Sequence, residues 1–256
     1  MTDKTYDIII GVIASRGVIY DGLVECYWKP FINFVNKTNN KIKVCLLYGN
    51  NYNIDDLEIN KNNIFISSSA DSFVPGILIK TIAYMKYINT NYKYKHFFRT
   101  NLSSFIILEN LIKIHRKLNV HNVYAGVMCN RNHGFCNIIS IFVSGAGFWL
   151  SPDNIKFLLG QELNYTIPDD VAVGKIMEKK KRINLPRLDI VHPNSWKSGA
   201  HRLEVSCDLT RADIINILQK SINMGHYHLR IKFDGNRNKD LHIMKIMTER
   251  LYKFRT

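Results

Sequence analysis

Tyr6-Asp7-Ile8-Ile9-Ile10-Gly11-Val12-Ile13-Ala14 is an almost unbroken apolar run. A strand in the middle of a parallel sheet is covered on both faces, so it reads as continuous rather than alternating hydrophobicity. Lys43–Tyr48 and Asn63–Ser67 repeat the pattern at intervals that leave room for helices, which is a βαβ rhythm. Between the first two strands, Leu23, Tyr27, Phe31, Phe34 and Val35 fall at helical spacing and Pro30 interrupts them, predicting a helix with a break or kink. Ile77, Ile79, Ile82, Ala83, Met85 and Tyr87 predict a largely buried helix over Val74–Ile88, followed by a strand over Tyr94–Thr100 that stops at Asn101. A further strand is expected near Ile138–Val143. Beyond Asp189 the pattern predicts a helix over Thr210–Met224, a strand over His226–Phe233 and a helix over Lys239–Tyr252. No Pro/Gly linker sets this tail apart, so the expected organisation is a main domain, 1–196, with a small α/β C-terminal appendage, 197–256, packed on it.

Composition narrows the function. The chain has 256 residues, 46% of them hydrophobic, a composition typical of a globular domain. Thirty-five Lys and Arg against 21 Asp and Glu give a net charge of +14, which favours an anionic partner: nucleic acid, an acidic membrane face or a phosphorylated small molecule. Charge alone does not choose among them, but Lys179-Lys180-Lys181-Arg182 is the one basic run and no nucleic-acid-binding fingerprint accompanies it, so nucleic acid is disfavoured. No apolar run reaches the length of a transmembrane helix. Met1–Asp7 is polar, and Cys26, Cys45, Cys129, Cys136 and Cys207 are odd in number and scattered, with no zinc motif. The expectation from these features is a soluble cytoplasmic protein with reduced thiols.

Two segments carry the chemistry. Val143-Ser144-Gly145-Ala146-Gly147-Phe148-Trp149-Leu150-Ser151 reads as a glycine-punctuated turn, and Pro168-Asp169-Asp170-Val171-Ala172-Val173-Gly174 presents two adjacent acids. Gly145 and Gly147 permit positive φ or a close backbone approach, or form an ordinary strand-to-helix turn before Ser151-Pro152-Asp153. Asp169 and Asp170 suit a general base with its neighbour, and equally suit a helix N-terminus, where acids face the positive end of the dipole. Asp71-Ser72-Phe73 leads to Lys80-Thr81, and Arg99-Thr100-Asn101-Leu102-Ser103-Ser104-Phe105 follows the fourth strand. In open α/β sheets ligands gather at the carboxyl ends of strands, which directs attention to the residues after Ala14, Ser67 and Thr100.

The glycine segment and the Pro-Asp-Asp element, with the two upstream frames, resemble fringe-like β-1,3-glycosyltransferases over roughly Tyr6 to Trp196. The resemblance implies a GT-A-like, Rossmann-type α/β sandwich with a mostly parallel sheet. It implies inverting transfer of a sugar from a UDP-sugar to a hydroxyl of a glycan or glycoconjugate acceptor. Asp170 would be the general base, with Asp169 orienting it or holding the acceptor. The donor would lie against Ala14, Ser15, Arg16, Asp71, Lys80, Arg99, Thr100, Asn101, Leu102, Ser103, Gly145, Ala146 and Gly147. The family carries metal-binding carboxylates where this chain has Asn101 and Ser103, and neutral oxygens bind a hard divalent cation weakly. Ser103 and His192 are the positions left for a metal such as Mn or Mg, and Lys80 or Arg99 stands as an alternative counter-charge for the diphosphate. A non-catalytic glycan- or nucleotide-binding protein of the same fold remains a second reading. His226 and His228 share one face of a predicted strand, as a metal pair or as plain strand residues.

Overall fold

The computed structural model describes residues 4–53, 59–133, 138–195, 199–206 and 208–253. Cys136, Trp196 and Cys207 of the sequence reading lie outside them. The chain runs β1 (Thr5–Ile13), α1 (Val18–Leu23), α2 (Lys29–Thr38), β2 (Ile42–Tyr48), β3 (Ile64–Ile66), α3 (Gly76–Asn91), β4 (Lys93–Asn101) and β5 (Ser104–Ile106). It continues through α4 (Leu108–Lys117), β6 (Tyr124–His133), β7 (Ile138–Leu150), α5 (Pro152–Leu159), α6 (Asp169–Ile176), β8 (Ile183–Asn184), β9 (Leu188–Val191) and β10 (His201–Glu204). α7 (Arg211–Asn223), β11 (His228–Lys232) and α8 (Asn238–Leu251) complete it.

Seven strands form the central sheet in the order β3-β2-β1-β4-β7-β6-β8. β3, β2, β1 and β4 pair in parallel, β7 runs antiparallel to both its neighbours, and β8 pairs in parallel with β6. This is the mixed α/β, mostly parallel architecture expected, and the 3-2-1-4 order is that of a Rossmann-type half. The continuous apolar run of β1 has its predicted meaning. Ile8, Ile10 and Val12 point into a core shared with Leu23, Tyr27, Phe31 and Val35, while Ile9 and Ile13 point into a second core with Leu78, Ile82 and Met85 on α3. The helix between β1 and β2 does break, but ahead of Pro30: residues Val24–Trp28 form a π turn joining α1 to α2. Pro30 then sits in the first turn of α2, where a missing N–H is tolerated.

A second, four-stranded sheet has the order β10-β9-β11-β5. It takes β5 and β9 from before residue 196 and β10 and β11 from after it, so the 196/197 division falls inside this sheet. β11 is antiparallel to β5 and parallel to β9, with Arg230 opposite Ser104 on one side and Asp189 on the other. Leu229 and Ile231 point into the first core. Strand alternation therefore turns His228, Arg230 and Lys232 to the opposite face. Tyr252, just after α8, is fully enclosed against Tyr27, Phe31 and Phe105, and its hydroxyl accepts from the Leu108 N–H at 3.1 Å. Aromatic packing and a buried hydrogen bond thus lock the tail onto the first helical layer. No helix among the described residues is long and apolar enough to cross a membrane.

Candidate active site

Val143–Leu150 is not a turn: it lies within β7, which continues to Leu150. Neither Gly145 nor Gly147 has a positive φ. Their lack of a side chain serves close approach instead. A Cβ at Gly147 would lie 2.6 Å from the His228 ring, and one at Gly145 would lie 3.0 Å from Asp170 Oδ2 and 3.2 Å from an Arg99 guanidinium nitrogen. The glycines let β11, α6 and β4 all close on one stretch of β7.

Where these elements converge, at the carboxyl end of β4, lies a cavity of about 450 Å³. Arg99, Asn101, Gly145, Asp170, Arg230 and Lys232 are among the residues that line it, with Asp169, Ser144, Ala146 and Asp234. Phe73, 70% exposed, and Ile77 form part of its wall. A second cavity, of about 350 Å³, is walled mainly by Val205, Leu209, Phe233 and Ile243, and its acid, Asp208, pairs with Lys239 at 2.9 Å. The first holds the candidate chemistry.

The two acids of the Pro-Asp-Asp element take different places. They open α6, where the positive end of the helix dipole favours them. Asp169 is buried and pairs with Arg99 at 2.6 Å. Burial pushes its carboxyl up to about 6, the Arg99 guanidinium pulls it back, and the charge of Asp170 adds to the rise. Asp170 is partly exposed to the cavity. Its Oδ2 accepts from the Gly145 N–H at 2.8 Å and its Oδ1 from the Val171 N–H at 3.0 Å, and among the described residues it forms no ion pair. Capping and orientation by β7 thus coexist in one side chain.

The other expected donor residues divide. Asn101, Gly145, Ala146 and Arg99 line the cavity. Thr100 is fully buried, its hydroxyl donating to Ala146 O at 2.9 Å and lying 2.7 Å from Ser104 Oγ. Leu102 is a core residue whose carbonyl accepts from the Trp28 indole at 3.1 Å. Lys80 is buried and bound to Asp71 and to Ala14 O, the latter at 2.8 Å, while Tyr52 donates to Asp71 at 3.1 Å. These contacts tie the ends of β1 and β3 to α3. Burial lowers the Lys80 pKa, and Asp71 opposes the shift. Arg16 pairs with Asp21 at 2.8 Å, next to Ser15. None of Ala14, Ser15, Arg16, Asp71, Lys80, Thr100, Leu102 and Ser103 lines the cavity.

The positions left for a metal already have partners within the chain. Ser103 Oγ already accepts from the Arg237 guanidinium at 2.8 Å, which puts a positive charge where a cation would have to bind. His192 Nδ1 accepts from the Asn194 N–H at 3.2 Å, and Asn101 Oδ1 from the Ser103 N–H at 3.1 Å. Among the described residues no three His, Cys, Asp or Glu side chains group to hold a metal ion. His228 Nε2 meets Ser104 Oγ at 2.8 Å and His226, which lies just before β11 rather than on it, meets His201 at 2.8 Å, so the two histidines have separate partners.

The second sheet adds cations that had no site role assigned from sequence, Arg230 on the predicted strand among them. Arg187 is buried, forked onto Asp189 at 2.7 and 3.1 Å and donating to Ser144 at 3.0 Å. Arg230 and Lys232 line the cavity from β11. The alternation His228, Arg230, Lys232 against Leu229, Ile231 was the available signal, since polar residues on one face of a strand with an apolar other face must look onto solvent or a site.

No protein-family model and no curated protein sequence matches the chain. Among solved structures it is similar to the apo form of the glycosyltransferase GlyE from Streptococcus pneumoniae TIGR4, with a TM-score of 0.40 and 10% identity. The match covers 96% of this chain and 63% of that one, so the chain spans less than two thirds of that protein's length. At this level the likeness is one of backbone arrangement alone.

Proposed function

We propose that the chain is a glycosyltransferase that moves a sugar from a uridine-diphosphate donor to a hydroxyl of a glycan acceptor, with inversion at the anomeric carbon. The observation that carries this reading is Asp170, a carboxylate on the cavity wall held by two backbone N–H groups and free of any ion pair among the described residues. Inverting transfer needs such a base. The acceptor oxygen attacks the anomeric carbon as its proton passes to Asp170, the bond to the diphosphate oxygen breaks, and the electron pair leaves with the nucleoside diphosphate. Asp169, clamped by Arg99, holds the first turn of α6 in place beside it. The resemblance to fringe-like enzymes supports the same assignment, because its two most specific segments meet at the Gly145–Asp170 hydrogen bond.

The test is release of UDP from a panel of UDP-sugars, with and without glycan acceptors. Asp170→Asn keeps the shape but accepts only one of the two N–H groups, and it is no base. It is expected to lower turnover by about 10²–10⁴-fold while leaving donor affinity near the parent value. Full activity in that variant removes Asp170 from the role of base, and absence of turnover with every donor favours a binding protein of the same fold.

A further inference from the structure

Among the described residues six charged side chains line the cavity, and four of them are already matched: Arg99 with Asp169, and Lys232 with Asp234 at 3.3 Å. Asp170 and Arg230 remain. Arg230 forms no ion pair among the described residues, and its buried Nε has no hydrogen-bond partner. The acids near it are engaged elsewhere, Asp189 by the Arg187 fork and Asp234 by Lys232. A guanidinium in that position lacks the complement that buried charge demands, and what it faces is the cavity. Burial and the neighbouring Arg187 charge both work against its protonated form, with Asp189 and Asp234 only partly offsetting them. An anion in the cavity would relieve both effects.

We propose that Arg230, assisted by Lys232 two residues along the same strand face, binds the diphosphate of the donor directly, so that this chain binds and releases its leaving group without a divalent metal. The proposal rests on the reading of the cavity as a nucleotide-sugar site. It accounts for why neutral Asn101 and Ser103, the latter bonded to Arg237, stand where a metal-dependent site needs carboxylates. A guanidinium presents a planar fork of donors that matches phosphate oxygens two at a time. As the bond from anomeric carbon to phosphate oxygen breaks, the added negative charge on that oxygen falls beside a fixed cation, which lowers the barrier without proton transfer. The base and the cation are then the two charges of one cavity left unmatched among the described residues.

The test is calorimetric titration of the full chain with pyrophosphate, UDP and uridine, each in EDTA and in Mn²⁺. Pyrophosphate and UDP are expected to bind equally well in EDTA and in Mn²⁺. Arg230→Met is expected to weaken both by about ten- to a hundred-fold, the range for a charge-assisted hydrogen bond, without changing the response to uridine. Arg230→Lys should recover part of the loss, and Lys232→Ala should weaken binding several-fold, which separates loss of the charge from misfolding. Pyrophosphate binding that requires Mn²⁺, or that is unchanged in Arg230→Met, overturns the proposal. Metal-free, Arg230-dependent binding of pyrophosphate with no preference for UDP over pyrophosphate, and no turnover of any UDP-sugar, keeps the anion site and overturns the glycosyltransferase reading instead.

Discussion

Two basic regions border the sheet's carboxyl edge, and they use their cations in opposite ways. At the ends of β1, β3 and β4, every cation that the sequence offers as a donor ligand is bound to an acid of the chain: Arg16 to Asp21, Lys80 to Asp71 and Arg99 to Asp169. On β11, Arg230 has no such acid. The first region shows charge used to hold loops and helix ends together. The second leaves a cation without an acid partner among the described residues, which is the basis for assigning it a ligand. A count of lysines and arginines near strand ends therefore says little about ligand binding until their partners are known.

The contrast is sharpest if Lys80 is removed. Lys80→Met leaves the buried Asp71 carboxylate uncompensated, and breaking such a pair by deleting one partner costs about 3–5 kcal/mol. Chemical denaturation should show that loss, whereas Arg230→Met should leave the midpoint close to the parent's. Equal effects at the two positions would break the comparison. Next in size is Gly147→Ala, whose Cβ would meet the His228 ring at 2.6 Å. Overpacking of this kind costs about 1–3 kcal/mol, and because it pushes β11 off β7 it should also weaken binding at Arg230. A variant as stable as the parent would mean that β11 does not lie against Gly147.

The smallest effect expected is one of pH. The Asp169 carboxyl is raised to about 6 by burial, above its value in an unfolded chain, so its contribution to stability is complete below about 4 and is lost as pH rises through about 6. Buried histidines act in the opposite sense: His115, pushed down to about 4 by burial and by His96, contributes stability that is lost as pH falls from its ordinary range through about 4. The difference between the parent and Asp169→Asn isolates the carboxyl from these histidines. That difference should change between pH 4 and 6 and be flat above pH 7; a flat difference throughout would mean that Arg99 holds Asp169 ionised across the range.

Much of the fold was legible because burial leaves a periodic trace. β1 through β4, α3, α7, β11 and α8 fall within a few residues of where apolar spacing puts them. α4 was missed although Leu108, Leu111, Ile112 and His115 carry a helical period, and β5 is too short, at three residues, to show any period. The Val143–Ser151 segment was misread for a different reason. Glycine is ambiguous in sequence: it marks positive φ in turns, and it also marks places where a neighbouring element touches the backbone, which is its role at Gly145 and Gly147.

The sequence alone determined the α/β alternation, the doubly covered first strand, the acids at the start of α6 and the excess of positive charge. Each of these depends on residue type and short-range order. Only the tertiary structure decided which charges remain unmatched, because pairing depends on placement within a few ångströms and not on spacing along the chain. Arg99 meets Asp169 from β4, Asp170 takes its N–H from Gly145 rather than a cation, and Arg230 reaches the cavity from a strand that joins the second sheet after residue 196.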